Sequence, residues 1–406
     1  MLMVKAGAPV DMVIDSLVPL LEENDIIIDG GNSYYKDTER RFKKLAEKNI
    51  RFLGTGISGG EYGALHGPSI MPGGDKSAYQ EVEAILVDAA AETEDGPCVT
   101  YLGPVSAGHY VKMVHNGIEY GVMEIISEIY DIMRKILALQ PEKMSQLFKK
   151  WNREHQAYLI EITHEILERK DPDTDKPLIN VILDKAKQKG TGKWSVQDAL
   201  DLGIPIPVIT AGVKARCFSS LKEERQIINR EFGQEEIAEN SRLDLAEEEL
   251  IGMLEDALYV AVVVAYAEGM KLLQVASEEY DYDLDLSAIG RIWEDGCIVR
   301  SSLLKPIQQS YQNDQDLINL IIAPYFKEKI SEKISGLRQL VSQVKKTGIP
   351  VPALNAALDY LDSLRSKELP ANMIQAQRDY FGAHTYQRKD KEGSFHTEWQ
   401  DIHNIT

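Results

Sequence analysis

Between residues 108 and 121 the chain reads GHYVKMVHNGIEYG, and five of these side chains could act on one bound molecule. Lys112, His115, Asn116, Glu119 and Tyr120 stand at i, i+3, i+4, i+7 and i+8. A helix puts all five on one face, with Val114, Ile118 and Val122 on another. An amine, an imidazole, an amide, a carboxyl and a phenol together offer a proton acceptor, a proton donor and several hydrogen-bonding groups. Repeated Glu/Lys pairs, the usual dress of a solvated face, are absent from the stripe. Gly117 and Gly121 weaken the helix and point to close approach by another backbone. The alternative is a polar stripe that simply faces water.

Two glycine-rich stretches look like phosphate loops. Gly54-Thr-Gly-Ile-Ser-Gly59 fits G-x-G-x-x-G after a short strand. The residues after it, up to Met71-Pro-Gly-Gly74, carry further glycines where a dinucleotide fold needs an apolar-periodic helix. The spacing predicts instead a mobile loop whose backbone N–H groups meet an anion or a sugar hydroxyl, with a plain structural turn as the alternative. Lys189-Gly-Thr-Gly-Lys193-Trp194 has Lys187 and Trp194 where a nucleoside triphosphate loop needs Gly and Ser or Thr. A lysine on a glycine turn can still pair with phosphate or carboxylate.

The elements that must position these residues change character along the chain. Helical patterns over 11–21, 35–48 and 81–91 alternate with strands over 25–29, 50–53 and 99–102. That alternation predicts a parallel sheet with crossovers. From about residue 106 the patterns are helical, over 108–138, 142–170, 178–188, 195–202, 207–231 and 245–280. The expected architecture is an α/β N-terminal domain with a partial Rossmann-like parallel sheet (1–105), a large all-α domain (106–366) and an extended C-terminal tail (367–406). The tail is polar and aromatic, a composition that packs on something else. Met1–Val4 reads as the end of a strand, with Lys5-Ala-Gly7 directly behind it. A nucleotide-binding domain normally opens with strand, glycine turn and helix, which four residues cannot supply.

With 406 residues, 44% hydrophobic and 27% charged, the chain has material for two domains and an appendage. A net charge of −19 argues against nucleic acid as a partner. Any anionic ligand must be met by a few placed cations inside an acidic shell. Cys98, Cys217 and Cys297 lie far apart, and no His stands at metal-ligand spacing, so neither a disulfide framework nor a metal site is expected. The longest apolar run, residues 257–267, is too short for a membrane span and reads as a buried helix. No signal peptide is visible. These features predict a soluble, cytoplasmic protein without a membrane partner.

Seven stretches carry a resemblance: IIIDGGNS (26–33), GISGGEYGA (56–64), GPSIMPGG (67–74), GHYVKMVHNGIEYG (108–121), QKGTGKW (188–194), KARCFSSLKEER (214–225) and LPANMIQAQRDYFGAHTY (369–386). In that order they resemble the decarboxylating 6-phosphogluconate dehydrogenases of the pentose phosphate pathway. The resemblance implies that Lys112 takes the 3-hydroxyl proton as hydride passes from C3 to NADP. The 3-keto acid then loses carbon dioxide, and Glu119 protonates C1 of the enediol to give ribulose 5-phosphate. A lysine must come down from about 10.4 to act as that base, through burial or nearby cations. The resemblance further implies that Lys189, Arg216, Arg378 and His384 gather at the substrate phosphate beside Tyr120. It assigns Asn32, Ser58, Gly59, Gly60, His115 and Asn116 to the carboxylate and hydroxyls, and Val4, Lys5, Ala6 and Asn32 to the cofactor. In the family the tail reaches the neighbouring subunit's site, which implies a homodimer.

The family has two βα units ahead of this starting point, on the order of 60 to 70 residues at about 30 per unit. Their fingerprint glycines are expected to be missing here. A truncated domain would expose sheet edges and apolar surface, bind 6-phosphogluconate weakly and reduce little NADP. Two readings stand side by side, an active dehydrogenase and an inactive remnant that binds sugar phosphate or pairs with a full-length subunit.

Overall fold

The computed structural model describes residues 1–232 and 245–399. The chain forms two compact units, Met1–Leu358 and Asp359–Thr406.

In the first unit, Leu2 pairs in parallel with Asp29, its amide donating to Ile28 O at 2.7 Å. Gly7, at φ 89°, turns the chain into α1 (Ala8–Leu17). Strand β1 (Ile26–Asp29) leads to α2 (Tyr35–Ala46), and β2 (Arg51–Ile57) lies parallel to β1 with Asp29 opposite Gly54. Then come α3 (Gly60–His66), β3 (Ile70–Gly74), α4 (Lys76–Ala89) and the small hairpin of β4 (Glu92–Thr93) and β5 (Gly96–Pro97). Helices cover both faces of the sheet. Val10, Ile14 and Leu45 pack with Ile27 and Phe52, whereas Ala78, Tyr79 and Leu86 pack with Leu53, Ile70 and Val99. This is the three-layer packing of an α/β domain.

The helical part begins with α5 (Ala107–Lys135), then α6 (Pro141–His155), α7 (Tyr158–Glu168), α8 (Thr191–Asp201), α9 (Pro207–Ser220) and α10 (Lys222–Phe232). After it come α11 (Glu247–Glu279), α12 (Leu286–Ile292), α13 (Leu304–Asn313), α14 (Pro324–Lys345) and α15 (Pro352–Arg365). Helix α11 is long and apolar enough to cross a membrane, yet 78% of its most apolar window is buried inside the protein. It packs on α5 at Gly269, where any Cβ would collide with Ile118. Two buried carboxylates tie helix starts to this core. Glu268 accepts from the Val208 and Ile209 amides (2.9 and 3.0 Å), and Glu128 from those of Ala353 and Leu354 (2.5 and 2.9 Å). Each satisfies amides that a helix N-terminus leaves unpaired.

The structure corrects several expectations. The sheet is mixed, because β3 runs antiparallel to β2 with Gly54 opposite Gly73. The stretch expected to be a mobile loop, 60–74, forms α3 and β3. Gly59, at φ 112°, lets the chain turn straight from Ser58 into α3, and Ile70 and Met71 are buried in the sheet. The expected strand 99–102 forms no strand. It runs beside β3, Leu102 N donating to Pro72 O at 2.9 Å, but only Val99 makes a bridge. Region 142–170 is two helices, broken where Gln156 takes a left-handed conformation. The helix expected over 178–188 is a single 3-10 turn, Leu178–Asn180. The second unit is not wholly extended. It holds α16 (Ala371–Gly382), and buried Asp379 accepts from Thr385 N, Thr397 N and Trp399 Nε1 at 2.9, 3.1 and 2.8 Å, folding the segment after the helix back on it.

Candidate active site

Helix α5 reaches the sheet through glycine. A Cβ on Gly56 would collide with the Lys112 side chain, and one on Gly108 with backbone atoms of Gly54, Met71 and Gly73. The glycines of 54–56 therefore lie inside β2, under the start of α5, and not in a phosphate-binding turn. Without side chains at these positions the helix comes down onto the strand and lays the lysine stem across it. Gly121 and Gly212 play the same part on the other side, where α9 meets α5 at the Tyr120 carbonyl.

The polar stripe faces inward. Lys112 is 5% exposed and His115 fully buried, Tyr120 is buried, and Asn116 and Glu119 are half-buried. This excludes the solvated-face alternative. Lys112 Nζ lies 3.3 Å from His115 Nδ1, and His115 Nε2 lies 3.2 Å from Ser58 Oγ. Asn116 Nδ2 donates to Thr191 Oγ1 at 3.1 Å. Burial brings the Lys112 amine down to about 8, against the pull of Glu119. Burial, and then the Lys112 charge, hold His115 well below its usual value, so the imidazole is neutral and can accept on one nitrogen while donating from the other. Burial raises Glu119 above the usual carboxyl range, opposed by Lys112, Arg216 and Lys189.

Those opposing charges mark the cationic end of the site. The Arg216 guanidinium stacks 3.7 Å from the Tyr120 ring centroid, and the Lys189 amide lies 3.5 Å from Tyr120 Oη. Lys189 is exposed and Arg216 half-buried, so both can reach a ligand. Buried Gly59 and exposed Gly60 begin the turn into α3, next to Ser58. Arg378 and His384 belong to the second compact unit, on α16 and just after it, and both are exposed there.

At the carboxyl ends of the parallel strands, the pairing of Leu2 with Asp29 sets Val4 beside Gly31, with Lys5 and Ala6 following Val4 and Asn32 following Gly31. A Cβ on Gly31 would sit 3.1 Å from Val4 O. Asn32 and Lys5 are exposed, and Val4 and Ala6 half-buried. The ledge is held from below by Asp29, which accepts from Gly31 N (3.1 Å) and Ser33 Oγ (2.7 Å) and pairs with buried Arg41 (3.5 Å). An open, backbone-lined ledge at this end of a parallel pair suits a nicotinamide cofactor.

Sequence reasoning missed Asp29 and Arg41, Thr191, and the segment 293–298. Trp293 meets His115 edge-on at 5.4 Å, Cys297 lies close enough to interact with the Lys112 charge, and Ile298 N donates to Ser58 Oγ at 3.4 Å. No motif marks that segment, which reads Trp293-Glu-Asp-Gly-Cys-Ile298. A cavity of about 860 Å³ opens beside Gly59 and Cys297 but touches none of the five helix residues. Among the described residues no three His, Cys, Asp or Glu side chains cluster as a metal site.

Comparison with known proteins agrees with this geometry. A family model described as the NAD binding domain of 6-phosphogluconate dehydrogenase matches residues 1–103, and one for the C-terminal domain of 6-phosphogluconate dehydrogenase matches 108–399. Two proteins of Bacillus subtilis (strain 168) are similar over 98% of this chain and 85% of their own length. The NADP(+)-dependent, decarboxylating 6-phosphogluconate dehydrogenase is 52% identical, and the NAD(+)-dependent, decarboxylating one 50%. The solved structure of Plasmodium falciparum 6-phosphogluconate dehydrogenase, determined in its apo form and in complex with NADP+ and with 6-phosphogluconate, superposes with a TM-score of 0.94. It is 45% identical, over 98% of this chain and 85% of that one. These matches do not bear out the expected truncation of the cofactor domain. With both halves matched in order and half of all positions identical, the chain belongs to the 6-phosphogluconate dehydrogenase family.

Proposed function

We infer that this chain oxidises and decarboxylates 6-phosphogluconate to ribulose 5-phosphate with reduction of NADP. The observation that carries this reading is the inward face of α5, where burial lowers an amine to about 8 and raises a carboxyl two turns away. Lys112 is then partly neutral near physiological pH and takes the proton of the 3-hydroxyl. The same amine, now charged, polarises the new ketone and favours loss of carbon dioxide from the β-keto acid. Glu119, whose burial favours the protonated carboxyl, delivers a proton to C1 of the enediol. Neutral His115, with Asn116, Ser58, Gly59, Gly60 and Asn32, holds the carboxylate and hydroxyls. Lys189 and Arg216, beside Tyr120, meet the phosphate, joined by Arg378 and His384. Val4, Lys5, Ala6 and Asn32 hold the cofactor.

NADP supplies the hydride acceptor. The more similar of the two Bacillus relatives depends on NADP+, and the solved structural relative binds it. The division of labour we propose is a cofactor domain (1–105), a helical substrate domain (106–366) and a tail (367–406) that serves the second subunit of a homodimer. A cytoplasmic setting goes with this reading, and the three free cysteines agree with a reducing compartment.

The test measures reduced cofactor by absorbance and carbon dioxide release together, with 6-phosphogluconate and either nicotinamide cofactor. Equal release of both products, faster with NADP than with NAD, is the expected result. Binding of the sugar acid with no turnover would return the chain to the reading of an inactive, sugar-phosphate-binding remnant.

A further inference from the structure

Asp198 is a buried carboxylate, 2% exposed, and none of the ion pairs found among the described residues includes it. Its partners are three phenols from three other elements. Tyr35, at the start of α2, donates to Oδ1 at 2.5 Å, Tyr280, at the end of α11, donates to the same oxygen at 2.8 Å, and Tyr110 of α5 donates to Oδ2 at 2.5 Å. The rings pack on one another, Tyr35 against Tyr110 at 5.0 Å and Tyr110 against Tyr280 at 5.7 Å. Burial and the Asp198 charge hold the Tyr35 and Tyr110 phenols in their protonated, donating form.

Two of the three phenols, and Asp198 itself, stand close in sequence to groups of the site. Tyr35 comes three residues after Asn32, Tyr110 precedes Lys112 by two, and Asp198 shares α8 with Thr191, the acceptor of the Asn116 amide. A buried charge without a cation is a poor device for stability alone, and apolar contacts would hold the same elements without fixing their spacing. Short charge-assisted hydrogen bonds have one length and one direction.

We propose that Asp198 is a positioning residue. It clamps the Asn32 turn, the Lys112 helix and the Lys189–Thr191 turn in one register, so that the cofactor side and the substrate side meet at the distance hydride transfer needs. This rests on the site reading given above.

The test compares Asp198→Asn, Tyr110→Phe and Tyr280→Phe with the parent enzyme. It reads kcat, the primary deuterium isotope effect with substrate deuterated at the carbon that loses hydride, and the dissociation constant of 6-phosphogluconate by calorimetry without cofactor. A misplacement of about 1 Å at a reacting centre costs about 100-fold in rate. Asp198→Asn is therefore expected to lose about 10- to 100-fold in kcat and to show a larger isotope effect, while the sugar acid binds within about threefold of the parent. Each Tyr→Phe variant loses one donor and shows a smaller change in the same direction, which keeps the test open if Asp198→Asn does not fold. Parental kcat and isotope effect in the folded variants, with only a lowered melting temperature, would overturn the proposal. Full turnover by Lys112→Met would overturn the site reading and this proposal with it, and is distinguished by that variant alone.

Discussion

Lys112 carries its amine at a position where almost none of the residue meets solvent, and the cost of charging it there is what makes it a base. With the amine at about 8, kcat/KM should fall about tenfold per pH unit below that point, because the free enzyme must present the neutral form. A pH profile flat down to about 6.5 would assign the proton to another group. Removing the amine should have opposite effects on activity and stability. Lys112→Met keeps the stem over Gly56 and relieves a buried charge, so the variant should lose turnover by at least about 100-fold yet gain about 1–3 kcal/mol of stability near neutral pH. Thermal melts beside the turnover assay check both halves. The stripe that holds this residue was legible because its spacing alone puts five groups on one helical face. Its inward orientation was hinted at by Gly117 and Gly121, and the structure supplies the reasons, the α9 backbone at Gly212 lying against Gly121 and the Ser195 side chain of α8 packing on Gly117. Asp29 and Arg41 were not legible as a pair because strand and helix must fold before they meet, and Cys297 was not because its site neighbour Lys112 is remote in sequence.

Helices α9 and α15 each begin on a buried carboxylate of another helix, and this arrangement makes the fold sensitive to pH. Burial pushes Glu268 and Glu128 up to about 8, against the amide hydrogen bonds that favour the ionised form. Between the unfolded value near 4.3 and about 8, the native state holds protons that the unfolded chain has released. Stability therefore falls as pH rises through that window. Melting temperatures should be lower at about pH 8.5 than at about pH 5.5. Glu268→Gln, which cannot ionise, should reduce that slope. It also points an amide NH2 at one of the Val208 and Ile209 N–H groups, which should lower stability by about 1–2 kcal/mol at the acidic end. A slope identical to the parent's would remove Glu268 from the account. At this scale the long helices announced themselves through periodicity, but strand β3 did not. Its sequence, IMPGG, carries turn residues, and only the glycine-to-glycine contact with α5 and pairing with β2 make it a strand. The reverse error occurred at 178–188, where an apolar pattern reads as helix but the chain makes one 3-10 turn.

For the whole molecule, the proposed homodimer assigns Lys112 and Arg378 of one site to different chains, and subunit mixing tests that arrangement directly. Lys112→Ala should abolish oxidation, and Arg378→Ala should mainly weaken substrate binding, because a guanidinium fork on phosphate is lost while the base remains. Equimolar mixtures of the two variants, unfolded and refolded together, give heterodimers as half of all dimers. In each heterodimer one site lacks both groups and the other has both. Such a mixture should recover about a quarter of parental activity at substrate concentrations too low to saturate the Arg378→Ala sites. If Arg378 served the site of its own chain, every site would lack one group or the other and mixing would restore nothing. Within the first unit, the exposed apolar residues Phe218, Ile227 and Phe232 of α9 and α10 give the proposed dimer apolar area to bury. Charge substitution at Phe218 should therefore shift the sedimentation coefficient towards the monomer and abolish the recovery in the mixture, and an unchanged coefficient would place the subunit contact elsewhere.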